Sequence, residues 1–182
     1  MAESDTRQRQ RTAPVDPGTL RNVCGLFVTG VTVITSGVGE RAVATTVNSF
    51  TSVSLTPPMV LFCLHKESRL QAAVAESGAY VVNFLAGQHG SLARSFAGRE
   101  TASLRQVPHH PSETGVPVLS EALAFLSCRL ADTFLGGDHM IFLGEVMSLG
   151  MPHPHHEPLI FFRGSLGSLA DEPHEGHSII DG

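Results

Sequence analysis

Charge is scarce in this sequence and never runs in one sign. Of its 182 residues, 16% are charged and the formal net charge is −5. Without a basic cluster the chain lacks the electrostatic footprint of a nucleic-acid-binding protein. No apolar stretch reaches the roughly 20 residues that a membrane-spanning helix needs. The N-terminal stretch also lacks the apolar core of a signal peptide, so the cytoplasm is the expected location and no membrane partner is expected. Cysteine is equally sparse, at positions 24, 63 and 128. Odd in number, far apart and without a CxxC spacing, these read as buried thiols in a reducing compartment.

Several catalytic signatures are missing. The sequence holds no GxGxxG, no GxxxxGK[ST], no HExxH and no GxSxG. Rossmann, P-loop, zincin and serine-hydrolase readings therefore lack the spacing their chemistry requires. Ten histidines are present, with His153, His155 and His156 in one short loop and His109-His110 in another. Pro152 and Pro154 hold the first loop extended, and no Cys or carboxylate cluster completes a ligand shell, so a surface loop is expected rather than a metal centre.

What remains is an apolar chain, 42% hydrophobic, of a length suited to one domain with a sizeable core. Residues 1–15 are polar and expected to be disordered, 16–169 form the domain, and 170–182 make an acidic, flexible tail. Asp16-Pro17 gives a helix start; Leu20, Val23, Cys24 and Phe27 then share one face predicted to be buried, and Gly30 stops the helix. Segments 31–36, 44–58, 59–65, 79–86, 122–137, 138–150 and 158–165 read as strands. Segment 59–65 is apolar enough to be covered on both faces. Leu70, Ala73 and Val74 mark one short helix, and Gln88 to Phe96 another in which Leu92 and Phe96 share a face. Residues 99–117 read as a long irregular loop. Many strands, short turns and few helices predict an antiparallel, Greek-key-like β-barrel with short peripheral helices. Its open strand edges would be covered by pairing as a homodimer.

The stretch ATTVNSFTSVSLTPP, residues 44–58, carries eight hydroxyl or amide side chains between Thr45 and Thr56. Read as one strand, it puts Val47, Val53 and Leu55 on a dry face and Thr46, Asn48, Ser52 and Ser54 on the other. Such a row suits a flat, acceptor-rich ligand with a phosphate tail, and it also suits a solvated sheet face. Lys66-Glu67-Ser68-Arg69 lies where a strand gives way to a helix, a sensible phosphate site and equally an ordinary helix start. His139 lies in a Gly136-Gly137-Asp138-His139 turn, where glycine lets a ligand approach the backbone.

These motifs together resemble the flavin reductase domain with a split-barrel flavin-binding fold, the small component of two-component flavin-dependent monooxygenases. FVTGVTVITS, TVNSFTSVSLTPPMVLFCL, YVVNFL, LARSFAG, GVPVL, LSCRL, GGDHMIFLGEV and PLIFFRG occur in the family's order, from about Leu20 to Leu169. Ala42-Val43-Ala44 departs from the glycine-bearing entry usual before the central stretch. The resemblance implies Thr46, Asn48 and Ser49 near a flavin ring, with Ser52 and Ser54 toward ribityl and phosphate. It also implies Ser68 and Arg69 at the phosphate, Phe96 bordering the cofactor, and His139 where nicotinamide stacks.

The implied reaction is hydride transfer from NADH, or less readily NADPH, to FAD or FMN, with reduced flavin passed to a partner monooxygenase. The alternatives are a flavin-binding split-barrel carrier or sensor without turnover, and a metal-binding module using the histidine loops. FAD and FMN are not distinguished, because loops such as 99–117 would hold the adenosine.

Overall fold

The computed structural model describes residues 14–98 and 102–169. Most of the expected N-terminal tail and the whole C-terminal tail lie outside these residues.

Two strands carry the core. Strands β2 (Thr32–Ser36) and β6 (Ala79–Phe84) pair antiparallel, with Ile34 opposite Val82. Their side chains alternate between two apolar compartments, as a pleated strand requires. Ile34, Tyr80 and Val82 point into one cluster with Phe62, Leu64 and Phe142. Val33 packs in a second cluster with Leu85, Phe96 and Leu159, and Val81 in a third with Val116 and Val118. Both faces are therefore covered on β2 and β6, not on the 59–65 run. That run, within β5 (Pro58–His65), buries only Val60, Phe62 and Leu64 in strict alternation. On the outer face Asn83 is fully buried and paired, donating to the Val33 carbonyl at 3.0 Å and accepting the Leu119 N–H at 2.8 Å.

The remaining strands build outward. In one sheet, β3 (Val43–Val47), β2, β6, β9 (Ala124–Gly136), β10 (His139–Gly150), β5 and β4 (Thr51–Leu55) follow in that spatial order, every pair antiparallel. The chain passes from β3, at one end, to β4, at the other, through Asn48-Ser49-Phe50. There the Ser49 hydroxyl donates to the Cys63 carbonyl and accepts the Cys63 N–H, both at 3.0 Å. This bond brings the end of β3 against β5 and closes the sheet into an antiparallel split barrel, as expected. Smaller sheets of β1 (Thr29–Gly30), β11 (Leu159–Phe162) and β12 (Ser165–Ser168), and of β7 (His109–Pro111) with β8 (Pro117–Leu119), lie beside it. Residues 102–117, expected to be irregular, thus contain β7 and the start of β8, and 158–165 falls in a hairpin rather than one strand.

The central stretch departs from its predicted pattern. It is two strands, and β4 carries an irregularity between Ser52 and Ser54, so the parity of residues 46–48 does not extend to 52–55. Val53 and Leu55, expected in the core, are 48% and 79% exposed.

Among the described residues three peripheral helices are α1 (Pro17–Cys24), α2 (Leu70–Ser77) and α3 (Gly90–Ser95). Helix α1 begins as predicted, with the Asp16 carboxylate accepting the Thr19 N–H at 2.7 Å. It ends at Cys24 rather than near Gly30, and its predicted buried face is not buried: Leu20, Val23 and Phe27 are 53%, 60% and 76% exposed. An amphipathic pattern reports a face that favours cover, and within the described residues the chain does not provide it. Of the three thiols only Cys128 is buried; Cys24 is exposed and Cys63 lies between.

Candidate active site

A cleft of about 980 Å³ opens where β3, the end of β5, the start of α2 and the β9–β10 hairpin meet. Its inner wall is β3. Strand β3 is fixed from behind by α3: the Thr46 N–H bonds to the Phe96 carbonyl at 3.0 Å and the Thr46 hydroxyl to the Ala93 carbonyl at 2.8 Å. Asn48, just past the strand, is exposed and donates to the Thr29 hydroxyl at 3.2 Å. Ser49 faces the cleft with its hydroxyl committed to the Cys63 backbone.

The opposite wall comes from the β5–α2 junction. His65 ends β5, and its ring accepts the Glu67 N–H at 3.2 Å while its carbonyl takes the Gln71 amide at 2.7 Å. Ser68 and Arg69 follow, immediately before α2, and both line the cleft. The chain turns here because Leu70 and Val74 enter the barrel core, which leaves residues 66–69 outside.

His139 reaches the same cleft from the β9–β10 hairpin. Gly136 and His139 face each other across a loop of Gly137 and Asp138, and Gly137 has φ +71°, a conformation that favours glycine. The hairpin tip is tied to the junction by the Lys66 N–H on the Asp138 carbonyl at 3.1 Å. Nδ1 of His139 lies 2.8 Å from Asp138 Oδ1, and the rings of His65 and His139 meet edge to face at 5.4 Å. The hydrogen bond from His139 holds the Asp138 carboxyl below its ordinary value. An ionised carboxylate only accepts, so Nδ1–H donates and Nε2 remains as the second polar atom of the ring.

Six of the nine sequence-derived site residues thus converge: Thr46, Asn48, Ser49, Ser68, Arg69 and His139 line one cleft. Three do not. Ser52 and Ser54 sit on β4, beyond the barrel closure, where the Ser54 hydroxyl accepts the Thr56 N–H at 3.2 Å. Phe96 is fully buried in the core, and its carbonyl rather than its ring supports β3. Conversely, His65 and Arg105, which carry no motif, also line the cleft, as does His109, expected only as one of a pair in a histidine loop. Only the fold brings them there; His65 is placed opposite His139 by the β5–β10 register. The histidine loop lies elsewhere, with His153 and His156 stacked at 5.1 Å. Among the described residues no group of three or more His, Cys, Asp or Glu could hold a metal ion.

Comparison with known proteins agrees with this fold. Residues 24–170 match the flavin reductase like domain. The chain belongs to that family.

The reductase subunit HsaB of a flavin-dependent monooxygenase from Mycobacterium tuberculosis is 37% identical over 161 residues, spanning 88% of this chain and 86% of that one. An NADH-dependent FMN reductase from Streptomyces nodosus subsp. asukaensis is 34% identical, over 91% of this chain and 93% of its own. Among solved structures, the Streptomyces globisporus NADH:FAD oxidoreductase in complex with NAD and FAD fragments superposes with TM-score 0.81 at 36% identity. It covers 90% of this chain and all of that one. The split barrel of this flavin reductase family member is thus matched in sequence and in backbone.

Proposed function

We propose that this protein is an NADH-dependent flavin reductase that supplies reduced FAD or FMN to a partner monooxygenase. The observation that carries the reading is the convergence of β3, the Ser68-Arg69 junction and the His139 hairpin on one cleft. The donor set fits a flavin. Neutral hydroxyl and amide groups line the inner wall, and Ser68, Arg69 and the first N–H groups of α2 suit an anionic phosphate. Asn48 and the backbone around Thr46 and Ser49 would hold the ring; Ser49 itself keeps the wall in place through Cys63. His139, oriented by Asp138, would position nicotinamide against the flavin.

Bound together, flavin and nicotinamide supply the chemistry, hydride passing from nicotinamide C4 to flavin N5. The chain contributes proximity and exclusion of water. It would have to hold the two flat rings at the near-attack separation of about 3–3.5 Å, which would turn a bimolecular encounter into an oriented contact. No side chain is assigned a nucleophilic role.

The exposed apolar side chains of α1, with Val53 and Leu55 on β4, support a homodimer in which a second copy covers them. No helix among the described residues is long and apolar enough to cross a membrane. The cytoplasm, where NADH is regenerated, is the compartment this reading requires. Steady-state NADH oxidation with FAD, FMN or riboflavin added separately tests the function. Flavin-dependent turnover supports it; a bound yellow flavin with no NADH consumption favours the carrier or sensor reading instead.

A further inference from the structure

Arg105 and Glu40 form an ion pair at 2.5 Å, and both line the cleft. Glu40 sits on the 3₁₀ turn Gly39–Arg41 between β2 and β3, and Arg105 on the 3₁₀ turn Leu104–Gln106. Their backbones are well founded. Leu104, beside Arg105, is 5% exposed in the cluster with Ala44, Leu85 and Phe96. The neighbouring cation on the other turn, Arg41, is engaged outward with Glu76 at 2.5 Å.

The pair itself is weak. The two side chains are 65% and 86% exposed, and such surface pairs contribute roughly 0–1 kcal/mol. A guanidinium held this way is directed but not committed, and phosphate oxygens offer it a stronger, bidentate partner. The size of the cleft argues in the same direction. At about 980 Å³ it stands at the upper end of the roughly 300–1,000 Å³ usual for small-molecule sites. Ser68 and Arg69 provide for one phosphate, and Arg105 stands on a different wall of the same space.

We propose that Arg105 is the residue that favours FAD over FMN, its guanidinium leaving Glu40 to take the pyrophosphate of the dinucleotide flavin. Glu40 is then a competitor that keeps Arg105 aimed along the rim while the site is free. The inference rests on the flavin-binding reading above and adds the choice between the two flavins to it.

Equilibrium titration with FAD and FMN, without nicotinamide, separates the possibilities. Arg105→Gln should raise the Kd for FAD about tenfold, the loss of one charge-assisted contact, and move that for FMN less than about twofold. Arg105→Lys, which keeps the charge but not the fork, should fall between. Glu40→Gln should tighten FAD, because the competing carboxylate is gone. A pair that merely braced the 102–107 segment would give the opposite pattern, both variants weakening FAD alike. That result, or equal loss of FAD and FMN in Arg105→Gln, overturns the assignment while leaving flavin binding intact. Failure of the unaltered protein to bind either flavin would remove the functional reading and this inference together.

Discussion

The Ser49 hydroxyl both donates to and accepts from the backbone of Cys63, at 3.0 Å in each direction. One side chain thereby joins the strand that walls the cleft to the strand that carries His65. Ser49→Ala would leave a half-buried N–H and C=O without these partners. The expected loss is about 1–3 kcal/mol of stability, read from the urea midpoint, together with weaker flavin binding as the wall loosens. Unchanged stability would show that the barrel closes without this bond.

His139 and Asp138 make a second testable pair. His139→Ala should raise the KM for NADH about tenfold, the equivalent of one lost polar contact, with flavin affinity moved less than about twofold. Asp138→Asn should shift the same parameter by less, because the ring survives but loses the charge that fixes its tautomer. Equal weakening of flavin and NADH would place His139 in the flavin site rather than beside it.

Gly144 lies directly over Tyr80. A Cβ at Gly144 would come within 2.1 Å of the Tyr80 hydroxyl and 2.7 Å of Cζ, and Tyr80 is fully buried. Gly144→Ala should destabilise by about 1–3 kcal/mol, the usual range for overpacking a core. Tyr80→Phe alone should be neutral or stabilising, since among the described residues the buried hydroxyl has no nitrogen or oxygen partner and faces only the Cys128 thiol. Urea denaturation of the two single variants and the double variant checks both statements, with partial rescue expected in the double.

His89 couples stability to pH. Its Nδ1 accepts the Ala86 N–H at 3.1 Å, which only an unprotonated Nδ1 can do. Burial lowers its pKa below the ordinary 6.5; nearby Glu121 opposes the shift, and His156 and His153 reinforce it. Between the lowered folded value and 6.5 the unfolded chain binds more protons, so stability rises with pH in that window. It should therefore be fully present above 6.5 and decline as pH falls through the folded value. His89→Gln, whose amide oxygen can still accept from Ala86, should flatten this part of a stability-against-pH curve.

The legibility of the fold followed the continuity of its strands. The β9–β10 hairpin could be read from glycines flanked by alternating apolar residues, and the β5–α2 junction from the change of period at residues 66–69. The resemblance in motifs named residues that share one cleft where the chain runs straight into or out of a strand, as at Thr46, Ser68 and His139. Alternation failed for Ser52 and Ser54 because the chain changes neighbours at Asn48-Ser49-Phe50 and then bulges. After that, parity no longer reports which face a side chain occupies. The face of α1 failed for a different reason: amphipathicity states a need for cover, not which chain supplies it. His65 and Arg105 gave no local signal, because strand register and loop packing alone bring them to the cleft.

Anaerobic rapid mixing of the flavin-loaded protein with NADH, following the loss of oxidised flavin absorbance, tests the central reading most directly. Bleaching of one flavin per NADH is expected, far faster than for the two small molecules alone and slower in His139→Ala at limiting NADH. Flavin that binds the protein yet is reduced by NADH no faster than in free solution, for both FAD and FMN, would contradict it.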